Sequence, residues 1–228
     1  MGRSTGGHGR AARLDPVRHV PHLVVSAPWE GPTLNLSVIQ SRHLSKVLRM
    51  SQGDDLTYTD GLGTMGKGVL GQHVIDRGEE ETLRRPTELT VVAAPPANKD
   101  RLRFLVEKMA ELGVARLRWL DTRHGKNRLA SGSKMFSWVL AATEQSRGAW
   151  LMEVDPDLMT LSDLEPGSVI CHPGGDDSPP DVTTVVIGPE GGFADDELAT
   201  DIRKWDLGPT ILRVETAAIV AVAKLSGR

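Results

Sequence analysis

The sequence holds a single cysteine, Cys171, in 228 residues, so no disulfide can close within the chain. Neither HExxH nor CxxC occurs, and the seven histidines have no spacing that suits a zinc site, so no metal is expected. Long apolar runs are missing as well. No stretch approaches the ~20 residues that span a bilayer, and the N-terminus MGRSTGGHGRAAR carries arginines with no apolar segment behind them, which argues against a secretory leader. The expectation is a cytoplasmic globular protein without a membrane anchor, starting with a loose tail over residues 1–17. With 39% hydrophobic residues, this length can bury a core in one large or two small domains.

An excess of basic residues is also lacking, since the formal net charge is -3. That average hides an asymmetry. Residues 1–50 carry Arg3, Arg10, Arg13, Arg18, Arg42, Lys46 and Arg49 against Asp15 and Glu30, a local balance of +5 that leaves -8 for the remainder. Phosphate contacts need local cations, not a basic whole protein. The distribution therefore permits RNA binding near the N-terminus, and a solvated charged surface explains it as well.

What the chain does have is a glycine-rich C-terminal stretch, Val185 to Leu225. A β-branched run, Val185-Val186-Ile187, stops at Gly188-Pro189-Glu190-Gly191-Gly192, and a second apolar run, Ile211-Leu212-Arg213, stops at Glu215-Thr216 before an alanine-rich helical segment. Two strands feeding two tight loops are expected. Glycine lets a backbone turn at positive φ or approach a ligand closely, so such loops suit a cofactor pocket, and ordinary strand-to-helix turns are the competing account.

From His19 to about Leu83 short β-branched runs alternate with Gly, Asp and Pro, which predicts a small β-barrel. One helix interrupts it over Gln40 to Arg49, with Leu44, Val47 and Leu48 on one stripe and Arg42, Lys46 and Arg49 off it. Gly61 to Gly66 matches GxGxxG and Gly61 to Lys67 matches GxxxxGK. Both motifs must open a helix, whereas Lys67 to Ile75 reads as strand, so a glycine-rich turn between strands is the better account.

After Gly78 to Pro86, which reads as a linker or an edge, strand and helix alternate. Leu89–Ala94, Arg116–Leu120, Ser168–His172 and Thr183–Ile187 read as strands; helices are expected from Asp100 to Gly113, over Lys134–Arg147 and from Asp195 or Asp196 to about Trp205. This predicts a mostly parallel sheet with helices on both faces. Ligands of such sheets bind beyond the carboxyl ends of the strands, which singles out Cys171-His172-Pro173, Gly188 to Gly192 and Leu207 to Leu212.

The run GPEGGF followed by LGPTILRVETA resembles the C-terminal signature of the RsmE family, the ribosomal RNA uracil-N3 methyltransferases of the SPOUT superfamily. The likeness extends through Asn98-Lys99-Asp100-Arg101, Glu107 to Val114, Glu144-Gln145-Ser146-Arg147 and His43 to Arg49, and covers nearly all of the chain after about Arg18. It implies a PUA-like RNA-binding barrel over 18–85, a SPOUT α/β trefoil-knotted methyltransferase domain over 86–228, and a homodimer. The implied substrate is 16S ribosomal RNA or the small ribosomal subunit. The implied cofactor, S-adenosylmethionine, would lie among Cys171, His172, Gly188, Pro189, Glu190, Gly191, Gly192, Leu207, Gly208, Ile211, Leu212 and Thr216.

Methyl transfer from a sulfonium chiefly requires that nucleophile and methyl be held in line. Loss of the uracil N3 proton is the harder step. Arg123, which resembles the family's substrate-side arginine, is a candidate for stabilising the uracil anion, and Glu190 is a candidate base or a carboxylate bonding loop amides. Arg18, Arg42, Lys46, Arg49 and Arg147 are candidate RNA contacts. The chain departs from the family pattern at Met152, where a proline is expected, and at Ala130-Ser131-Gly132-Ser133, which replaces a more basic stretch. A SPOUT ribose 2′-O-methyltransferase, a non-catalytic RNA-binding protein on the same fold and a P-loop phosphohydrolase are the competing readings.

Overall fold

A computed structural model describes residues 20–125, 128–177, 182–198 and 202–226, so the expected tail and Arg18 lie outside the described residues. The first part of the chain forms a five-stranded mixed sheet curled into a half-barrel. Its strands are β1 (His22–Val24), β2 (Thr33–Asn35), β3 (Asp55–Thr59), β4 (Thr64–Leu70) and β5 (Val74–Thr82), in the order β1-β3-β4-β5-β2. The pair β1 and β3 is parallel and the others antiparallel. Alternation along the strands sends Leu23, Leu34, Leu56, Tyr58, Leu70 and Ile75 into one core. Glycine in β4 has a packing reason, because a Cβ at Gly66 would strike the ring of the fully buried Tyr58.

The helix expected over Gln40 to Arg49 is shorter and broken. Helix α1 (Val38–Arg42) starts at a capping box in which the Ser37 hydroxyl accepts from the Gln40 amide, and it gives way at once to a π turn over His43–Val47. The wider turn shifts the phase of the side chains. Leu44 alone of the predicted stripe is buried, while Val47 is 65% and Leu48 43% exposed. Gly61 to Gly66 joins β3 to β4 as a turn between antiparallel strands, so it opens no helix.

The remaining strands form a six-stranded, wholly parallel sheet: β6 (Thr90–Ala93), β7 (Arg116–Leu120), β8 (Glu153–Met159), β9 (Val169–Asp176), β10 (Thr184–Ile187) and β11 (Arg203–Trp205), ordered β11-β9-β10-β6-β7-β8. Helices α2 (Lys99–Glu111), α3 (Gly132–Ser146) and α4 (Val214–Leu225) share a core with Val91, Leu117, Trp119, Val185 and Ile187. The opposite face, with Val92, Leu120, Ile170 and Val186, is packed by Leu161 and Leu164 around a 3-10 turn and by Phe193, Leu198 and Ile202. Helix α2 closes as predicted at Gly113 (φ +76°), whose amide bonds Ala110 O while the Val114 amide bonds Met109 O, a Schellman ending.

Three expectations fail here. The run Ile211–Arg213 is loop, not strand. The strand at that position in the chain is instead β11, whose Trp205 is buried and donates Nε1–H to the Asp177 carbonyl; a helix continuing to Trp205 is therefore excluded. Strand β8 was not anticipated, because Pro156 and three acidic residues disguise it, a composition an edge strand tolerates.

The half-barrel is stitched to the end of α3 and the segment after it. His22 reaches the Gly148 carbonyl through Nε2 (3.3 Å) and Thr57 Oγ1 through Nδ1 (2.8 Å). The Val24 amide donates to Glu144 Oε1, Thr59 Oγ1 to Ala149 O, and the Leu151 amide to Gly61 O. Gly61 and Gly63 permit this approach, since a Cβ on either would run into Leu151 or Trp150.

Candidate functional site

Chain order in the parallel sheet reverses at β6, with β7 and β8 on one side and β10, β9 and β11 on the other. Crevices form at such points beyond the strands' carboxyl ends. The structure has a cleft of about 340 Å³ beyond the carboxyl ends of β9 and β10, on one side of that point, walled by three loops. One leaves β10 as Gly188 to Phe193; a second is Asp206 to Leu212; the third is an irregularity in β9, where Ile170 and Asp176 face consecutive residues of β11, so that Cys171 keeps its pairing with Ile187 of β10 while the residues after it, up to Gly175, leave the β11 ladder.

Of the predicted cofactor residues, Cys171, His172, Gly188, Pro189, Glu190, Gly191, Gly192, Leu207, Gly208, Ile211 and Leu212 all line this cleft. Thr216 does not. It is exposed on the first turn of α4, and Val214 and Ala217 form the wall there. Burial pushes the Cys171 thiol up to about 12, so it lines the cleft as a neutral group.

Sequence reasoning missed Phe193, Asp206 and Thr210 in the wall. Phe193 packs against Gly188, where a Cβ would strike its ring. Asp206 fastens two loops together: its carboxylate accepts from the Gly208 and Gly174 amides, both at 2.8 Å, and these bonds hold its carboxyl below the usual range. The short run Asp206-Leu207-Gly208, an acid two residues ahead of a glycine, was the signal available for this turn.

Arg101 was noticed only as part of a motif. Its guanidinium forks onto Glu215 (Nε to Oε1 2.9 Å, Nη2 to Oε2 2.7 Å) and also reaches Glu190 Oε1 at 2.5 Å, tying the first turns of α2 and α4 to the β10 loop. Glu215 is nearly buried. Burial, the largest single influence, would raise its carboxyl, and the bonds from Arg101 together with the Glu215 amide and the charges of Arg101 and Arg213 hold it low.

Arg123 lies beyond this cleft, exposed, with Nη2 on Asp196 at 2.5 Å and its amide on Glu197. Its neighbour His124 makes the connection to the β10 loop: Nδ1 lies 3.1 Å from Gly192 O. Arg147 sits at the seam between α3 and the half-barrel. Its Nη2 donates to the Val20 carbonyl, because α3 ends there in a left-handed residue (φ +57°) that turns the side chain into the seam. Arg42, Lys46 and Arg49 are exposed around α1 and the π turn. Among the described residues, no group of three or more His, Cys, Asp and Glu is placed to hold a metal ion, and no helix is long and apolar enough to cross a membrane.

A parallel sheet whose order reverses beside a glycine-walled cleft, attached to a half-barrel, is the architecture of an RNA methyltransferase domain, and residues 83–226 match that family. The chain belongs to the ribosomal RNA small subunit methyltransferase E family. A ribosomal RNA small subunit methyltransferase E from Mycobacterium bovis is 32% identical over 214 residues, covering 79% of this chain and 80% of the relative. In three dimensions the chain resembles the methyltransferase E of Neisseria gonorrhoeae bound to S-adenosyl methionine (TM-score 0.77, 24% identity, 92% of this chain and 98% of that one). A Legionella pneumophila methyltransferase in complex with SAM superposes similarly (TM-score 0.78, 24% identity, 92% and 98%).

Proposed function

We propose that the chain methylates N3 of a uridine in 16S ribosomal RNA of the small subunit, using S-adenosylmethionine, in the cytoplasm. The observation that carries this reading is the cleft beyond β9 and β10, built almost wholly from the loops that the family signature contributes. Its walls suit that cofactor. Leu207, Ile211 and Leu212 offer apolar surface for the adenine faces, with Ile211 83% exposed and so available to a ligand. The loop amides and carbonyls offer groups for the adenine edge, and Gly188 to Gly192 leave room where side chains would intrude. When bound, S-adenosylmethionine supplies an already activated methyl group.

The protein must then position the uracil and stabilise the charge left as N3 loses its proton. Arg123 is the first candidate for that charge and Glu190 the second candidate, as base. The Arg123–Asp196 pair is solvent-exposed on both sides, so a substrate group can displace it. Glu190 shares Arg101 with Glu215, and positioning the loop is its competing role.

In the same reading residues 18–85 grip RNA through Arg42, Lys46 and Arg49, while 86–228 form a trefoil-knotted catalytic unit that pairs as a homodimer. The half-exposed Ile219, Val220 and Ala223 of α4 are candidate pairing surface. Sedimentation giving only monomer at micromolar concentration would remove the dimer, and a crystallographic chain trace without the threaded C-terminal segment would remove the knot.

The decisive experiment is mass-spectrometric mapping of ribosomal RNA after incubation of undermodified small subunits with the protein and S-adenosylmethionine. N3-methyluridine at one position is the expected product. A 2′-O-methyl product, or calorimetric cofactor binding with no product on RNA, would overturn the assignment.

A further inference from the structure

A second cleft, of about 540 Å³, opens between the starts of α2 and α3 and is lined by Pro96, Lys99, Leu102, Arg128, Ser131 and Lys134 among others. Its charge is of one sign. Lys99, Arg128 and Lys134 stand in its wall with no carboxylate among the lining residues, and none of the three is engaged in an ion pair among the described residues. That sets them apart from Arg101, Arg103, Lys108, Arg116, Arg118 and Arg123 of the same unit, each of which holds a carboxylate. Unpaired cations crowded round one concavity repel one another, and a bound anion relieves that repulsion.

The backbone points the same way. Helix α3 begins at Ser131, whose side chain makes no capping bond, and its first turn holds no acidic residue. The Lys134 amide turns back to the Ser131 carbonyl, and the Gly132 and Ser133 amides ahead of it add partial positive charge to the cleft and remain open to an acceptor.

The position ties this cleft to the cofactor cleft on two sides. Lys99 is two residues before Arg101, which reaches Glu190 in the cofactor-cleft wall, and Arg128 is four residues after His124, which reaches Gly192 in the same wall. Both links run along the chain, so an anion held here is bound by residues close in sequence to those that contact the cofactor-cleft loop.

We infer that the cleft between α2 and α3 is a phosphodiester-binding subsite, in which Lys99, Arg128 and Lys134 hold the backbone of the RNA next to the nucleotide being modified. This rests on the methyltransferase reading above. It adds a grip within the catalytic unit itself, carried by residues on either side of Ala130-Ser131-Gly132-Ser133.

The test is binding of a fluorescein-labelled single-stranded fragment of small-subunit ribosomal RNA to the full chain across a salt series. Wild type is compared with Arg128→Ala/Lys134→Ala and with the charge-preserving swap Arg128→Lys/Lys134→Arg. Each phosphate contact on a single strand contributes ~0.7 to the slope of log K against log salt. The double alanine variant should therefore flatten the slope by about 1.4, and the swap should keep it. Removing Arg42 and Lys46 on the half-barrel serves as a comparison for an independent grip. Calorimetry with S-adenosylmethionine should give one affinity for all variants. An unchanged slope in the double alanine variant overturns the subsite, and so does a swap that flattens it equally. Absence of methyl transfer by wild type would instead strike at the methyltransferase reading, since that outcome does not depend on Arg128 or Lys134.

Discussion

The cofactor cleft and the surfaces offered to RNA are built from different materials. The cleft is backbone: three loops bent by Gly188, Gly192, Gly208 and the irregularity in β9, pinned by Asp206 and Arg101, with apolar side chains as lining. The surfaces proposed for RNA are long exposed cations, at Arg42, Lys46 and Arg49 on the half-barrel and Lys99, Arg128 and Lys134 on the catalytic unit. A backbone site can be shaped before its ligand arrives and so costs little to organise on binding. Flexible cations fix their geometry only against the phosphates. The two kinds of site should accordingly fail in different ways.

The largest expected effect is on the seam that fixes one region relative to the other. His22 is 6% exposed, and its partners suit a neutral ring, since the Gly148 carbonyl can only accept from Nε2–H and Nδ1 is left to accept from Thr57. Burial pushes its pKa down to about 4. The unfolded imidazole takes up its proton near 6.5, so between those values the unfolded chain binds more protons and stability falls as pH falls. A gap of that size corresponds to about 3 kcal/mol across the window. Glu144, whose carboxyl is raised chiefly by burial, acts in the opposite sense and offsets part of it. Denaturant unfolding at several pH values should show the stability advantage of wild type over His22→Gln shrinking as pH drops from 7 to 4. Parallel profiles would mean that His22 does not set the acid sensitivity of the seam.

Next in size is the chemical step. Arg123→Ala should lower turnover at saturating RNA about a hundredfold, the scale for losing one preorganised electrostatic partner, with S-adenosylmethionine affinity close to wild type. Arg123→Lys should recover only part, because the charge remains and the planar fork is lost. Normal turnover in the alanine variant would make Arg123 a surface residue paired with Asp196. The substrate side would then need another electrostatic partner.

Legibility followed the same division. The loop residues Gly188 to Gly192 and Leu207 to Leu212 could be placed in one cleft from sequence because glycine, proline and strand ends are local features with local consequences. The partners of Arg101 could not, since Glu215 lies 114 residues away and nothing near Arg101 points to it. The seam contact of Arg147 was hidden for a related reason. A cation looks the same in sequence whether it faces solvent or, as here, caps α3 and bonds Val20. The π turn was hidden because Leu44, Val47 and Leu48 satisfy an α-helical stripe that the wider turn does not keep. Strand β11 was hidden because three residues, Arg203 to Trp205, are too few to show alternation, although Trp205 among charged neighbours is a buried anchor in retrospect.

The smallest effects come from the paired glycines, and they separate two reasons for having glycine in the cofactor loop. Gly192 has φ +73°, where a side chain is strained, yet nothing lies within 4 Å of where its Cβ would stand. Gly191 has no left-handed φ, and a Cβ there would lie 3.1 Å from the Cβ of His124, which stands behind the cleft wall. Strain at Gly192 affects the folded state as a whole, so Gly192→Ala should lower stability by about 1 kcal/mol and change S-adenosylmethionine affinity little. Crowding at Gly191 acts where the ligand would lie. The two γ carbons of valine must go toward His124 or into the cleft, so Gly191→Val should weaken S-adenosylmethionine at least tenfold by calorimetry while the thermal midpoint stays near wild type. A folded Gly191→Val variant with unchanged affinity would remove this loop from the cofactor site. If Gly192→Ala instead proved the more damaging to affinity, the loop would owe its function to its backbone angle and not to the space it leaves. The contrast between a preshaped cleft and an unshaped RNA surface would then rest on one left-handed residue.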